Sequence, residues 1–209
     1  MTHTPCATTP ITHLLYLHGF RSSPQSMKAR KMAEWVARQA PHVVFWCPQL
    51  PPSPRQAMEM VAEGTAHWPT GRMAVMGSSL GVFPATGVAG GLAVPARAPA
   101  VLINPAVHPA RDLARYIGDQ TLWHAPDEHF YFDPAYVDEL RTLQTDQPSQ
   151  PERYQVWAAT GDEVLDWREM QARYQSCQLH IVPGSDHALS DFDRHLPHML
   201  AHLGLQPAS

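Results

Sequence analysis

Three short motifs contain the residue types of a nucleophile, a base and an acid. Ser79 lies within "GSSLG", Asp162 within "TGDEVLD" and His187 within "GSDHAL". A serine hydroxyl is a weak nucleophile until an imidazole takes its proton, and a carboxylate can orient that imidazole. The residue types therefore predict acyl transfer, with Ser79 as nucleophile, His187 as general base and then acid, and Asp162 as the residue that orients His187.

Acyl transfer also requires hydrogen-bond donors for the oxyanion that develops on the attacked carbonyl. The G-x-S-x-G spacing around Ser79 is typical of a nucleophile elbow, a tight turn from a strand into a helix. One donor of such a site is the backbone N–H of the residue after the nucleophile, which here is Leu80. The other comes from the loop after an earlier strand, where Phe20 follows His18 and Gly19. We therefore expect the N–H groups of Phe20 and Leu80 to form the oxyanion hole.

The elements that must position these residues follow from the pattern of short apolar runs. The runs alternate with helix-like segments, which predicts a parallel sheet covered by helices on both faces. The predicted strands are 12–17, 43–47, 72–76, 100–103, 154–159 and 178–182. The predicted helices are 26–39, a segment that opens with Ser53 and Pro54, 80–88, a segment that starts near Asp166, and 196–203.

The three motifs all follow predicted strands. Active sites of open parallel sheets form beyond the carboxyl ends of the strands, so Ser79, Asp162 and His187 are expected to meet there. Their chain order, Ser then Asp then His, is that of the α/β-hydrolases. We therefore predict a three-layer α/β-hydrolase fold with a mostly parallel six-stranded sheet, in a single domain over residues 1–209.

One long segment interrupts the alternation of strands and helices. Between Ile103 and Tyr154 lie 50 residues in which we predict no strand, and aromatic residues are grouped there with prolines. We predict that residues 105–153 form a cap-like insertion after the fourth strand, because long insertions in compact chains are usually functional or cover a site. A helical segment that packs on the edge of the sheet is the alternative, and the sequence leaves both open.

The stretches "LLYLHGFRSSPQSMKA", "MGSSLGVF", "INPAV", "TGDEVLD" and "GSDHAL" together resemble the YqiA-type small bacterial esterases of the α/β-hydrolase superfamily. The similarity extends from about Leu14 to Leu203. It implies a reduced sheet that begins at the strand before the oxyanion loop, carboxylester hydrolysis and no cofactor. The sequence departs from the family's pattern at Val82, where a second glycine often stands. Pro84 falls in the first turn of the predicted helix, where proline is tolerated.

The acid and the base have rivals nearby. Asp166 lies four residues after Asp162, but its position is better suited to cap a helix. Asp186 directly precedes the histidine, and neighbours in a tight turn seldom orient each other's rings. His18 also ends a predicted strand, but a His-Gly pair at that place more often shapes the oxyanion loop. We therefore favour Asp162 as the acid over both rivals.

Other polar clusters allow alternatives. Residues 124–129, "HAPDEH", contain two histidines and two acids, which favours a solvated turn over a metal site. His195, His198 and His202 lie at helical spacing among apolar residues, which favours the polar face of a helix over metal binding. Arg21, in the oxyanion loop, either contacts an anionic substrate or pairs with a local acid, and the sequence does not decide between them.

Composition limits the expected partners and location. The formal net charge of −4 gives no electrostatic reason to expect nucleic acid or an anionic membrane as a partner. Three widely spaced cysteines fit reduced thiols, and we find neither a signal peptide nor a membrane-spanning run, so we expect a cytoplasmic protein. Because no nucleotide-binding or zinc-protease motif is present, we expect no metal and no other cofactor.

Together these observations predict a serine hydrolase that cleaves carboxylic esters of small to medium acyl groups. A thioesterase acting on acyl-CoA or on an acyl carrier protein uses the same chemistry and is the first alternative. A non-catalytic binding protein on the same fold is the second, since a fold alone does not fix function. The expected partner is a small-molecule ester or thioester, while acyl chain length and oligomeric state do not follow from the sequence.

Overall fold

The main sheet consists of parallel strands. The computed structural model of the chain describes residues 10–82, 98–144 and 148–208. Its main strands are β1 (His13–Leu17), β2 (Val44–Trp46), β3 (Met73–Ser78), β4 (Ala100–Ile103), β7 (Tyr154–Ala159) and β8 (Gln178–Val182). They form a six-stranded sheet in the order β2-β1-β3-β4-β7-β8, and each neighbouring pair is parallel. The last three strands have the predicted bounds, and the first three differ from them by one or two residues.

Helices cover both faces of this sheet. The helices within the described residues are α1 (Met27–Gln39), α2 (Pro54–Thr65), α3 (Pro109–Leu113), α4 (Pro134–Leu143), α5 (Trp167–Arg173) and α6 (Phe192–Leu203). The α3 and α4 helices pack against each other in a third apolar cluster, and the other four cover the sheet. Successive side chains of a strand point to opposite faces, so β1 contributes to two separate apolar clusters. Leu14 and Tyr16 cluster with residues of α1 and α6, whereas Leu15 and Leu17 cluster with residues of α2 and α5. The predicted three-layer α/β arrangement is confirmed.

Local signals set the ends of two of these helices. Ser53 Oγ accepts a hydrogen bond from the Gln56 N–H at 3.2 Å and caps α2, as predicted. The last helix, α6, begins at Phe192, about one turn before the predicted start, because Phe192 is fully buried in the core. It ends as predicted at Gly204, whose φ of 71° favours glycine. None of the helices in the described ranges is long and apolar enough to span a membrane.

The segment between β4 and β7 contains an antiparallel hairpin, so the prediction of no strand there is wrong. β5 (Gly118–Leu122) pairs with β6 (Ala125–Phe132). Most of β6 is exposed, and it contains Pro126 and two acids, so no alternation of apolar residues marks it in the sequence. Residues 125–129 of "HAPDEH" belong to β6, and the solvated turn expected for them is also wrong.

Two sets of contacts join this inserted segment to the rest of the domain. Glu139 of α4 accepts hydrogen bonds from Ser53 Oγ at 2.7 Å and from the Arg55 N–H at 3.0 Å, both at the start of α2. At the tip of the hairpin, His124 Nε2 lies 2.5 Å from Ser23 Oγ, and Ser23 belongs to the loop after β1. The hairpin therefore lies against the loop that leads away from the end of β1.

Candidate active site

Ser79 lies in a strained turn directly after β3. Its φ is 55°, a left-handed conformation that residues other than glycine rarely adopt and that is concentrated at functional sites. A 3₁₀ turn, Ser79–Gly81, follows the strand. A Cβ added at Gly81 would stand 2.2 Å from the Leu17 carbonyl oxygen, so only glycine fits at this close approach. The tight turn leaves Ser79 at the carboxyl end of the sheet.

The residues after this turn are described only in part. Val82 is 2% exposed and packs in the apolar cluster that contains Leu15 and Leu17, so its side chain fits behind the turn. The helix predicted over 80–88 lies mainly outside the described residues, and so does Pro84.

A continuous chain of contacts joins Ser79 to Asp162 through His187. His187 Nε2 lies 3.2 Å from Ser79 Oγ, and His187 Nδ1 lies 2.8 Å from Asp162 Oδ2. The Asp162 side chain is fully buried, whereas the His187 side chain is 22% exposed. When Nδ1 carries the proton, it donates a hydrogen bond to the Asp162 carboxylate, and Nε2 can accept the proton of the Ser79 hydroxyl. The structure thus brings together the three residues singled out in the sequence.

Backbone groups fix the Asp162 carboxylate on its other side. Its Oδ1 accepts hydrogen bonds from the N–H groups of Val164 and Leu165, each at 2.8 Å. With Oδ1 engaged in this turn, Oδ2 is directed at the imidazole of His187. The carboxylate therefore cannot rotate away from the ring without breaking two hydrogen bonds.

The two rival acids have other partners. Asp166 caps α5 by accepting a hydrogen bond from the Arg168 N–H at 2.9 Å, as its position in the sequence indicated. Asp186 accepts hydrogen bonds from the Ser190 hydroxyl at 2.6 Å and from the Ser190 N–H at 2.8 Å. The hydroxyl contact in particular holds the pKa of Asp186 below its usual range. Asp162 is thus the acid that the structure places on the His187 ring.

Asn104 anchors the segment that carries His187, and it was not predicted as a site residue. It directly follows β4, is fully buried and has a φ of 43°. Its Nδ2 donates to the carbonyl oxygens of His187 at 2.9 Å and Asp186 at 3.0 Å, and its Oδ1 accepts from the Ala159 N–H at 2.8 Å. A polar residue directly after a buried strand was the signal that could have found it.

Two charged residues contact the same segment. Lys28 Nζ donates to the Ala188 carbonyl oxygen at 2.5 Å, and Glu163 accepts a hydrogen bond from the His187 N–H at 3.1 Å. Burial lowers the pKa of Lys28 to about 8, against the opposing effect of nearby carboxylates. Lys28 lies in α1, 160 residues away from Ala188 in the chain, so no local pattern in the sequence marks this contact.

The loop after β1 lies close to Ser79. A Cβ added at Gly19 would stand 3.0 Å from the Ser79 Cβ, so the two backbones approach closely there. His18 is buried, with Nδ1 3.0 Å from the Gly19 carbonyl oxygen and Nε2 3.1 Å from the Leu50 nitrogen. Burial lowers the pKa of His18, and a neutral ring that donates from Nδ1 and accepts at Nε2 satisfies both contacts. His18 therefore shapes this loop.

The residues expected to supply the oxyanion donors border a small cavity at the nucleophile. This cavity has a volume of about 50 Å³, and its walls include Phe20, Ser79, Leu80 and His187. Phe20 and Leu80 thus line the same cavity as Ser79 and His187, and the role of their N–H groups as oxyanion donors stays a prediction.

A sequence profile of one protein family matches nearly all of the chain. The family is an uncharacterised protein family, UPF0227, and the match covers residues 13–204. The chain belongs to UPF0227. This match confirms the resemblance to the YqiA-type family that the sequence motifs indicated.

Solved structures from several bacteria are similar to this UPF0227 chain. A candidate hydrolase from Agrobacterium vitis S4 has a TM-score of 0.69 at 17% identity, covering 92% of this chain and 88% of that one. An esterase domain from Rhodothermus marinus has a TM-score of 0.63 at 16% identity, covering 96% and 88%. An α/β superfamily hydrolase from Oenococcus oeni PSU-1 has a TM-score of 0.60 at 14% identity, covering 92% of each chain. At these identities the likeness shows the fold, and the predicted α/β-hydrolase fold is confirmed.

In this UPF0227 chain, Arg21 joins the loop after β1 to the hairpin. Its Nε donates to the Thr121 carbonyl oxygen at 2.6 Å, and a terminal nitrogen donates to Thr121 Oγ1 at 3.0 Å. Its guanidinium carbon lies 4.1 Å from the ring centroid of Trp123. The backbone N–H of Trp123 donates to the Arg21 carbonyl oxygen at 2.9 Å. Within the described ranges no acid pairs with the Arg21 guanidinium. Contact with a substrate stays a prediction.

The histidines of α6 are only partly on an exposed face. His195 Nε2 lies 2.9 Å from Asp191 Oδ2, and His202 Nδ1 lies 3.1 Å from Gln178 Oε1 at the start of β8. His198 is exposed. In the part of the chain that the structure describes, no group of three or more histidines, cysteines or acids is placed to hold a metal ion.

Proposed function

We propose that this protein is a serine hydrolase that cleaves carboxylic esters through an acyl-enzyme. The observation that carries this proposal is the chain of contacts from Ser79 Oγ to His187 Nε2 at 3.2 Å and from His187 Nδ1 to the buried Asp162 at 2.8 Å. The strained φ of 55° at Ser79 supports it, because a nucleophile elbow requires this conformation. The fold that it shares with an esterase domain from Rhodothermus marinus is compatible with the same chemistry.

In the proposed reaction, Ser79 Oγ attacks the ester carbonyl carbon while its proton passes to His187 Nε2. The N–H groups of Phe20 and Leu80 stabilise the oxyanion, and Asp162 stabilises the imidazolium. The bond from carbon to the alcohol oxygen then breaks as His187 gives its proton to that oxygen, which leaves the acyl group on Ser79. A water molecule repeats the sequence, giving one proton to His187 and its oxygen to the acyl carbon. Ser79 then regains its proton as the acid departs.

We further propose that residues 105–153 act as the cap of this site. Tyr116 and Trp123 from this segment line the small cavity beside Ser79. Arg21, in the loop that carries Phe20, donates a hydrogen bond to Thr121 of the hairpin. Trp123 is 64% exposed, so this side of the cavity faces solvent. The substrates proposed on this basis are esters of small-molecule alcohols with small to medium acyl groups.

A fluorophosphonate probe tests the proposed nucleophile, because it reacts covalently with activated serines. We expect labelling of the wild-type protein and of Ser78→Ala, and at least a 10⁴-fold loss of ester hydrolysis together with loss of labelling in Ser79→Ala. Ser78 is a matched control, since it precedes Ser79 directly and is 6% exposed. Folded wild-type protein that is not labelled, or equal labelling of Ser79→Ala, would contradict the proposal.

A further inference from the structure

Two cavities meet at the proposed oxyanion donors. The smaller one, of about 50 Å³, includes Ser79 and His187 in its walls. The larger one, of about 340 Å³, lies between α2, the loop before it and the inserted segment. Phe20 and Leu80 line both cavities, so they form the partition between them. The 340 Å³ volume lies within the range of sites that hold small molecules, whereas 50 Å³ has room for about one or two water molecules.

The larger cavity comes close to the nucleophile at Gly19. This residue lines it, and a Cβ added there would stand 3.5 Å from Ser79 Oγ. Phe20, the next residue, also lines the cavity, and its ring centroid lies 5.0 Å from that of Phe132 and 5.7 Å from that of Phe130. A substrate group attached to a carbonyl at Ser79 would pass Gly19 and the Phe20 ring to enter the larger cavity.

The chemistry of the proposed reaction assigns the two cavities to different parts of the ester. His187 must protonate the departing alcohol oxygen, so the alcohol has to lie on the side of His187. That side is the smaller cavity, which opens to solvent beside the exposed Trp123. The acyl group extends from the same carbonyl carbon in the other direction, past Phe20 and Leu80, where the larger cavity offers space.

The walls of the larger cavity fit an aliphatic chain. The loop after β2 contributes Leu50, Pro51 and Pro52, and the inserted segment contributes Leu122, Phe130 and Leu140. Glu128 and His129 also line the cavity, but both are exposed, so they mark the side that is open to solvent. Arg21, Ser22 and Gln49 form a polar part of the wall, where the Arg21 guanidinium donates to Thr121. A linear hydrocarbon gains free energy with each methylene that it buries among these apolar side chains.

We propose that the cavity between α2 and the inserted segment binds the aliphatic acyl chain of the ester, and that Met58 limits the chain length. This inference rests on the proposed hydrolase function. Met58, on α2, lines the cavity. Met60 lies two residues further along the same helix, is 36% exposed and does not line the cavity, which makes it a matched control.

The test compares two series of esters on the wild-type protein, Met58→Trp, Met58→Ala and Met60→Trp. One series has linear acyl groups of increasing length on a constant nitrophenol, and the other has acetates of alcohols of increasing length. For the wild type we expect kcat/KM to rise about fourfold per acyl methylene up to a maximum. The maximum should move to shorter acyl groups in Met58→Trp, to longer ones in Met58→Ala, and stay in place in Met60→Trp. The alcohol series should not distinguish the variants.

Different failures identify which idea is wrong. Ser79-dependent hydrolysis with the same acyl profile in all variants, or a shift in the alcohol series instead, would overturn the acyl cavity and leave the hydrolase intact. Absence of Ser79-dependent hydrolysis of any ester would overturn the proposed function. A binding measurement is independent of turnover: octanoate should bind Ser79→Ala, and at least tenfold more weakly when Met58→Trp is added. Equal affinity in the two proteins would contradict the assignment of this cavity.

Discussion

At the scale of single residues, the tautomer of His187 depends on which atoms face it. Asp162 Oδ1 accepts two backbone N–H groups, which leaves Oδ2 as the acceptor at 2.8 Å from His187 Nδ1. An acceptor at this place favours a proton on Nδ1, and only then does Nε2 have a lone pair directed at Ser79 Oγ. In the proposed reaction, Asp162 therefore acts by keeping the proton on His187 Nδ1.

Asp162→Asn should abolish this arrangement while leaving the shape of the side chain unchanged. The amide oxygen must remain with the N–H groups of Val164 and Leu165, so the amide NH₂ would face His187 Nδ1. The ring then adopts the tautomer that cannot accept the serine proton, and we expect kcat to fall about 10⁴-fold. Steady-state kinetics with one good ester measures the effect.

Asp166→Asn is the control for this prediction. Asp166 caps α5 through the Arg168 N–H, and asparagine caps helices as well as aspartate does, so kcat should stay close to that of the wild type. If instead Asp166→Asn lost the activity and Asp162→Asn kept it, the acid would have to be reassigned to Asp166.

The sequence predicted these site residues because each carries a local signal. Ser79 lies between two glycines, and Asp162 and His187 lie in polar motifs that follow apolar runs. Lys28 escaped prediction because its contact forms only in the folded chain, whereas Asn104 directly follows a buried strand, a signal that was not used. Lys28 reaches Ala188 across 160 residues, and Asn104 reaches His187 across 83. Side chains that act on distant backbone groups leave no pattern in the sequence near their partners.

At the scale of elements, the Asn104 side chain connects the ends of β4 and β7 with the loop after β8. It directly follows β4, accepts a hydrogen bond from the Ala159 N–H at the end of β7, and donates to the carbonyl oxygens of Asp186 and His187 in the loop after β8. All these groups lie at the carboxyl edge of the sheet, where parallel strands end together. The position of the His187 ring thus depends on the register of β4 and β7 as well as on Asp162.

Asn104→Gly isolates the hydrogen bonds of this side chain, since glycine adopts the φ of 43° without strain. We expect kcat to fall on the order of 10²-fold, because a displacement of about 1 Å in the catalytic geometry has an effect of this size. The loss of bonds to buried groups should also lower stability by about 1–3 kcal/mol. Kinetics and thermal unfolding measure the two effects.

Glu163→Gln is the matched variant for the same loop, because the amide oxygen can still accept the His187 N–H. It should retain nearly the wild-type kcat. A full wild-type kcat in folded Asn104→Gly would show that Asn104 does not position His187.

The hairpin of the inserted segment shows where prediction of elements from sequence fails. Strands of the main sheet are buried on both faces, so they appear in the sequence as apolar runs. β6 is mostly exposed, and its position depends on contacts such as those of Arg21 with Thr121 and of Ser23 with His124. An element that is stabilised by contacts with a distant loop, and not by its own apolar face, lacks the periodicity on which sequence prediction depends.

At the scale of the whole molecule, one buried and two half-buried histidines make stability depend on pH. Burial is the main cause that lowers the pKa of His13, His18 and His180 below the ordinary value of 6.5. For His180, the neighbouring histidines of α6 lower the pKa further, and its ring stacks on Trp157 with a centroid distance of 4.1 Å. The folded protein therefore binds fewer protons than the unfolded chain at mildly acidic pH.

We expect the free energy of unfolding to fall as the pH drops from 7 to 5. Because the folded-state pKa values of these histidines are lowered, their contribution to stability is fully present above about pH 6.5, where these histidines are neutral in the unfolded chain as well, and is lost as the pH falls.

His180→Phe retains a ring to stack on Trp157 but cannot titrate, so its stability should depend less steeply on pH than that of the wild type. Urea unfolding at pH 7, 6 and 5 gives the slopes, with His42→Phe, at an exposed position, as the control for loss of a histidine. Parallel curves for the wild type and His180→Phe would show that His180 contributes nothing to acid sensitivity.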